Sequence, residues 1–195
     1  MRKRIGIFCV LLGVICILSS IGFVVYNYLE EKNAEKTTNI LLEEIQNIIN
    51  SQNIPQNEPQ NQMPTVSIDD CGCIGILSIP ALDLELPVLT DWSYAKLKKA
   101  PCHYYGTYYE KDFVIAAHNY KSHFGRLSEL QVGDIVVFTD VNGLARYYEV
   151  ALTETLPKNA TEEMIVSGFD LSLYTCTPGG ASRVTVRCNV AKDYQ

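Results

Sequence analysis

A single cysteine lies where the sequence predicts that a strand ends abruptly. Residues 171–175 alternate apolar and polar side chains, which is typical of a half-buried strand. Cys176 follows, and Pro178 with the two glycines after it forces a turn, since proline lacks a backbone donor and glycine tolerates positive φ. Arg183 then opens a second run rich in β-branched residues. A nearby positive charge favours the thiolate, so Cys176 is a candidate nucleophile.

A histidine ends a second predicted strand. Residues 113–117 form a short apolar run, and His118 and Asn119 follow it directly. A cysteine considered alone is more often buried filler than a nucleophile. Two strands that each deliver one member of a Cys/His pair to their ends make a more specific pattern. This pattern indicates a nucleophile, Cys176, with a general acid and base, His118.

The residues around this pair resemble the sortase family, the cell-wall transpeptidases of Gram-positive bacteria. The resemblance is carried by the segment Leu-Tyr-Thr-Cys-Thr-Pro, by Arg183 downstream and by Ala-Ala-His-Asn upstream, and it covers about residues 72–190. It implies that Cys176 attacks a sorting peptide to form a thioacyl-enzyme. It implies that His118 transfers the protons and that Arg183 holds the substrate and stabilises the oxyanion. We also expect Thr175 and Asn119 to contact substrate.

A second arginine competes for the role given to Arg183. Arg187 shares a strand face with it by the period of two, so alternation cannot choose between them. Arg187 lies about 13 Å further along an extended strand and so further from the cysteine. We therefore predict that Arg187 is a solvated charge on the barrel surface. The two remaining histidines, His103 and His123, are likewise predicted at the surface.

The N-terminus predicts a membrane anchor. Three basic residues precede an uncharged run from Ile5 to Leu29, and about 20 apolar residues suffice to cross a bilayer as a helix. The basic cluster predicts a cytoplasmic N-terminus and an extracellular remainder. A cleavable signal peptide is the alternative, but its apolar region would be shorter.

Three regions follow from these patterns. Residues 1–29 form the cytoplasmic tip and the transmembrane anchor. Residues 30–70 contain an amphipathic helix up to about residue 51 and then a stalk rich in Gln, Asn and Pro. Residues 71–195 form the catalytic domain.

Short alternating runs dominate the catalytic domain. They are bounded by prolines and by turn signals such as Asn142-Gly143, whereas helical spacing is limited to residues 93–99, 122–131 and 161–166. Many short strands with few helices predict an all-β barrel or sandwich. This agrees with the closed eight-stranded β-barrel that the sortase resemblance implies.

Composition excludes some partners. The net charge of −6 and the pI near 5.1 leave no basic stripe for nucleic acid. We predict no cofactor and no metal, because the carboxylates, cysteines and histidines match no ligand spacing. Four cysteines outside the anchor remain beside the candidate nucleophile, and the sequence leaves their pairing open: Cys71, Cys73, Cys102 and Cys188.

The sequence thus predicts a membrane-anchored, sortase-type cysteine transpeptidase. As the resemblance implies, its partners are secreted proteins with a C-terminal, LPxTG-like sorting signal and an amine nucleophile of a peptidoglycan precursor or a pilin. An exported cysteine peptidase or amidase would use the same pair with water as the acceptor. A tethered, non-catalytic β-domain with Cys176 in its core is the alternative outside enzymes.

Overall fold

The computed structural model describes residues 2–51 and 63–192, so most of the predicted stalk, residues 52–62, lies outside the described residues. Within the described part the helices are α1 (Arg2–Asn50), α2 (Tyr94–Leu97) and α3 (Thr161–Ile165). The strands are β1 (Val66–Ile68), β2 (Cys71–Ile79), β3 (Leu84–Leu89), β4 (Cys102–Tyr105), β5 (Phe113–Ala116), β6 (Ile135–Asp140), β7 (Ala145–Pro157), β8 (Leu171–Cys176) and β9 (Ser182–Val190).

Eight of these strands close into a barrel. The hydrogen-bonded order runs β2, β3, β4, β5, β8, β9, β7, β6, and β6 pairs back onto β2, which closes the ring. β1 only prolongs the sheet beside the first residues of β2. Closure removes the unpaired edges of an open sheet. The predicted all-β, closed eight-stranded barrel is therefore confirmed, although β1 and β4 were not predicted as strands.

The chain separates into two compact units, residues 1–33 and residues 34–195. In the first unit the apolar side chains of α1 are exposed to the surroundings. This helix is long and apolar enough to cross a membrane, judged by length and composition.

In the second unit, the last part of α1 packs against the barrel. Its buried side chains, Ala34, Thr38, Leu41 and Ile45, recur at steps of four, three and four residues, which places them on one helix face. Leu41 and Ile45 join an apolar cluster formed with residues of β1 to β4 and their flanking loops. The amphipathic pattern is therefore explained by packing on the domain itself.

One polar contact lies within this packed face, and it involves a histidine predicted at the surface. The prediction for His123 is wrong, because its side chain is completely buried. Its Nε2 lies 2.8 Å from Thr38 Oγ1, and the Thr38 hydroxyl also lies 2.5 Å from the Lys99 carbonyl oxygen. A carbonyl oxygen only accepts, so the hydroxyl donates to Lys99 and accepts the Nε2 proton of His123. Burial lowers the pKa of His123 to about 4, which keeps the ring neutral.

The loop before β6 departs from the predicted helix over residues 122–131. It folds as turns and one short 3₁₀ turn, Leu127–Glu129. At Gly125 the backbone passes so close to the carbonyl oxygens of Asn119 and Tyr120 that a Cβ would lie 2.6 and 2.7 Å from them. The apolar spacing correctly marks Phe124 and Leu127 as buried residues, but they belong to a folded loop and not to an α-helix.

The prediction for Arg187 is also wrong. Its side chain is only 2% exposed and is held by side chains and carbonyl oxygens from three elements. Nε donates to Glu154 of β7 at 2.8 Å, and Nη1 donates to Ser172 of β8 at 2.8 Å. The carbonyl oxygens of Glu163 and Met164 in α3 accept from Nη2 and Nη1 at 2.7 and 3.2 Å. The hydrogen bonds of Arg187 therefore hold α3 against the outer face of β8 and β9.

Replacement of Arg187 by alanine is expected to destabilise the domain. The change removes a buried ion pair and leaves two carbonyl oxygens and a hydroxyl without their donor, so we expect a loss of about 3 kcal/mol in the free energy of unfolding. Chemical denaturation of the full chain in detergent measures this loss. Arg183→Ala, on the same strand face but half-exposed, serves as the control and should cost less than about 1 kcal/mol. Equal costs for the two variants would contradict the structural role of Arg187.

The buried His123 predicts a pH dependence of stability. The unfolded chain takes up a proton at this histidine below a pH of about 6.5, whereas the folded ring stays neutral until a pH of about 4. The free energy of unfolding should therefore fall as the pH falls from 6.5 to 4, by up to about 1 kcal/mol per pH unit from this group. Thermal unfolding at stepped pH measures the slope. His123→Gln keeps a donor toward Thr38 but does not titrate, so it should flatten the slope, and an unchanged slope would contradict the assignment.

Candidate active site

Cys176 is the last residue of β8, and Arg183 lies opposite it on β9. The antiparallel register pairs these two residues directly. The side chains of Val186 and Leu173 point into the core, so the alternate positions, including Cys176 and Arg183, belong to the outer face of the barrel. The candidate nucleophile and the candidate cation are therefore adjacent cross-strand neighbours.

The turn between β8 and β9 fixes this pairing. Thr177 N donates to the Ser182 carbonyl oxygen at 3.0 Å, and Gly180 N donates to the Thr177 carbonyl oxygen at 2.8 Å. Gly179 and Gly180 have φ values of 81° and 73°, in the left-handed region that glycine adopts without strain. The two glycines thus permit the tight return that brings β9 back beside the end of β8.

His118 reaches the same edge through the parallel pairing of β5 with β8. This register aligns Ala116 with Tyr174, so His118 and Cys176 each follow two residues later. The alignment continues past the strand, because Ala117 N donates to the Tyr174 carbonyl oxygen at 3.1 Å. Neighbouring strands lie about 4.8 Å apart. The fold therefore brings the Cys/His pair predicted from sequence to one edge of the barrel.

Two contacts orient the ring of His118. Its Nδ1 lies 3.2 Å from Asn119 Oδ1, an acceptor, so the neutral ring carries its proton on Nδ1 and a lone pair on Nε2. The ring also stacks on Tyr120 with a centroid distance of 4.3 Å and an interplanar angle of 5°. A base with a defined tautomer and ring plane is suited to proton transfer.

The two predicted substrate contacts have different surroundings. Thr175 is buried, and its hydroxyl donates to the Ala117 carbonyl oxygen at 2.9 Å. This geometry favours a structural role for Thr175, as a link between β8 and the residue before His118. Asn119 is half-buried and contacts the His118 ring. Contact of Asn119 with substrate stays a prediction.

A groove on the outer face leads to Cys176 and Arg183. One wall is a row of aromatic rings, with centroid distances of 5.3 Å from Tyr174 to Tyr104, 5.6 Å from Tyr104 to Trp92 and 5.9 Å from Trp92 to Tyr94. The residues Leu97 and Met164 add apolar surface, and the rest of the lining comes from β5 and the β7–α3 connection. Such a groove suits an extended peptide with apolar side chains.

The aromatic wall is the part of the site that sequence reasoning missed. Trp92 is 43% exposed, and Tyr94 beyond it is 80% exposed. A signal was available for Trp92 and Tyr94, which lie in the connection between β3 and β4, because loops at strand ends often carry binding residues.

The charge of the groove is positive. Lys158 and Arg183 line it, and the described lining residues include no carboxylate. Arg183 Nη1 donates to the carbonyl oxygens of Gly180 and Ser182 at 3.1 and 3.0 Å, which holds the guanidinium beside the turn. A cation held by its own loop can stabilise negative charge that develops near Cys176 without reorganisation.

The other cysteines of the barrel offer no comparable nucleophile. Cys71, Cys73, Cys102 and Cys188 are buried and unpaired, whereas Cys176 is partly exposed. Burial raises the pKa of Cys73 and of Cys102 to about 12, which keeps these thiols protonated and unreactive. Cys176 is thus the one accessible thiol in the described part of the barrel.

His103 lies apart from this chemistry. It is half-buried, and its ring nitrogens lie 3.1 Å from the Thr90 carbonyl oxygen and 2.7 Å from the Gly106 carbonyl oxygen. These contacts join the loops that follow β3 and β4. The side chain has a structural role there, which the sequence did not indicate.

The family model described as a sortase domain matches residues 77–191, which is more than half of the chain. No curated protein matches the chain.

Solved structures agree with the family model. Sortase C1 from Streptococcus suis is 28% identical, with a TM-score of 0.54 over 61% of this chain and 73% of its own. A sortase D5 transpeptidase from Clostridium perfringens is 19% identical, with a TM-score of 0.64 over 80% and 99%. Sortase C from Streptococcus pneumoniae is 21% identical, with a TM-score of 0.54 over 84% and 89%. The family model covers most of the barrel, whose strands bring an accessible cysteine and a histidine to one edge. This chain therefore belongs to the sortase family.

Proposed function

We propose that this protein is a membrane-anchored cysteine transpeptidase that cleaves an LPxTG-like sorting signal and transfers the new C-terminus to an amine. The observation that carries the proposal is the register of β5, β8 and β9. It aligns the exits of β5 and β8, where His118 and Cys176 lie, and pairs Cys176 with Arg183. A nucleophile, a proton carrier and an anion-stabilising group are the parts that acyl transfer needs.

In the first half-reaction, the Cys176 sulfur attacks the carbonyl carbon of the scissile peptide bond. A tetrahedral intermediate forms, with its negative charge on the former carbonyl oxygen. As it collapses, the carbon–nitrogen bond breaks, His118 gives a proton to the departing amine, and the peptide stays on the sulfur as a thioester. His118 takes up the proton that the thiol loses and passes it to the leaving amine, so the protons balance.

In the second half-reaction an amine attacks the thioester carbon. His118 accepts the proton of this amine, the carbon–sulfur bond breaks, and Cys176 is regenerated. The acceptor that we propose is an amine of a peptidoglycan precursor or of a pilin. Water in place of the amine would make the protein a peptidase.

Arg183 is proposed to stabilise the oxyanion and to hold the peptide backbone. The guanidinium offers several donors in a fixed plane, and its contacts with the turn leave donors for the substrate. Asn119, which contacts the His118 ring, is proposed as a further substrate contact.

The location of the protein follows from α1. We propose that its apolar part crosses the cell membrane once with the N-terminus in the cytoplasm, because the basic residues precede the span. The barrel then lies outside the cell, where secreted proteins that carry a C-terminal sorting signal are its substrates.

Substitution of the pair tests the reaction. With an LPxTG-like peptide, wild-type protein should form a thioester on Cys176 that mass spectrometry detects as added peptide mass. Cys176→Ala should form none, because the acylated atom is gone, and His118→Ala should turn over at least about 100-fold more slowly. Added amine should convert the thioester into a transfer product. Activity of Cys176→Ala would end the proposal, and an acyl-enzyme that reacts only with water would replace it with the peptidase.

The role of Arg183 is tested by two substitutions. Arg183→Lys keeps the charge but loses the planar set of donors, and Arg183→Ala loses both, so we expect losses in kcat/KM of about tenfold and of about 100-fold. Single-turnover acylation rates measure them. Val132→Ala, at an exposed position outside the groove, is the control for general disturbance and should stay within about threefold. Full activity of Arg183→Ala would remove the residue from the mechanism.

A further inference from the structure

The loop that carries His118 is held at its far end by the N-terminal helix. The contact between Thr38 and His123 joins residues 85 positions apart in sequence. Both side chains are buried, and the Thr38 hydroxyl is fixed by its donation to Lys99. The contact is therefore directional and shielded from water, unlike the apolar packing of Leu41 and Ile45 further along the same helix face.

The loop itself is compact. Phe124 N donates to the His118 carbonyl oxygen at 3.2 Å, and Gly125 N and His123 N donate to the Tyr120 carbonyl oxygen at 2.8 and 3.0 Å. Phe124 is buried in the barrel core. These three hydrogen bonds close the backbone from His118 to Gly125 into one folded turn, which couples the position of His123 to that of His118.

The side chain of Tyr120 connects the two histidines. Its ring stacks on His118 at 4.3 Å and lies 5.4 Å from the ring of His123 at an angle of 57°. A shift of His123 would therefore displace the Tyr120 ring, and this ring sets the plane of the His118 imidazole. The contacts form one continuous series from α1 through Thr38, His123 and Tyr120 to His118.

We propose that Thr38 and His123 are positioning residues for His118, so that seating of the α1 segment after residue 34 on the loop sets the orientation of the catalytic histidine. The inference rests on the proposed function for the role of His118. It assigns the helix beside the anchor a part in the reaction. Thr38 and His123 touch no substrate and act through Tyr120.

The test compares variants of the full chain in detergent micelles. Thr38→Val removes the hydroxyl and keeps the shape, and we expect it to lower kcat for peptide acylation about tenfold with KM within twofold, since a misaligned base slows the chemical step. Thr38→Ser keeps the hydroxyl and should stay within twofold of wild type in kcat.

Leu41→Ala is the matched control. This residue lies one turn further on the same buried face and packs in the apolar cluster on the barrel. It should lower the melting temperature at least as much as Thr38→Val and leave kcat within twofold. Equal losses of kcat in Leu41→Ala and Thr38→Val would show general loosening of the helix and overturn the proposal.

A double variant tests the order of the series. Tyr120→Leu removes the stack on His118 and should reproduce the loss of kcat. Because both changes break one series of contacts, Thr38→Val combined with Tyr120→Leu should be no slower than Tyr120→Leu alone. Losses that multiply would indicate separate effects and overturn the link through Tyr120.

Histidine signals give a readout that does not depend on activity. The chain has three histidines, so labelling that residue type gives three ring systems in an NMR spectrum. Thr38→Val should shift the ring signals of His123 and of His118 and leave those of His103, which contacts other loops, in place. Unmoved His118 signals would overturn the proposal even if kcat fell. If wild-type protein forms no acyl-enzyme, the proposed function fails, and the His118 signals alone decide the link.

Discussion

The parallel pairing of β5 with β8 is the contact on which the candidate site depends. The two strands are neighbours in the barrel but lie almost 60 residues apart in sequence, and their aligned exits carry His118 and Cys176. Two further contacts continue the alignment past the strands, Ala117 to the Tyr174 backbone and the Thr175 hydroxyl to the Ala117 carbonyl oxygen. A shift of one residue in this register would turn one of the two side chains to the opposite face.

The outer face of β8 and β9 has a buried, structural end and an open end that carries the candidate site. At one end Arg187 is buried under α3 and satisfied by Glu154, Ser172 and two carbonyl oxygens. At the other end Arg183 and Cys176 line an open groove. The boundary between the two ends is set by α3, because it excludes water from one arginine and leaves the other beside solvent. The buried network in turn fixes the strands that present the open pair.

The N-terminal helix is part of the same arrangement. Its last turns complete an apolar cluster on the barrel and bury His123 beneath Thr38. The first part of the helix has the length and composition of a membrane span, while the last part is a layer of the folded domain.

Local features of the chain could be predicted from its sequence. Strand ends at Cys176 and His118, the glycine turn, the apolar N-terminal span and the amphipathic stretch were readable because proline, glycine and the period of side chains act on neighbouring residues. Together with the short alternating runs they predicted an all-β barrel or sandwich, and they indicated the Cys/His pair; the closed eight-stranded barrel was implied by the sortase resemblance.

Which of two residues with similar sequence surroundings is buried depends on the tertiary packing. Arg183 and Arg187 share one strand face, and His103 and His123 both lie in polar stretches. The side-chain period and the local polarity therefore cannot tell which member of each pair is buried. Whether a polar side chain is solvated or buried depends on which distant segment packs over it: α3 covers Arg187, and α1 with Thr38 covers His123. The cost of burying such a group is offset only by partners from far along the chain, and this long-range complementarity leaves no local pattern in the sequence.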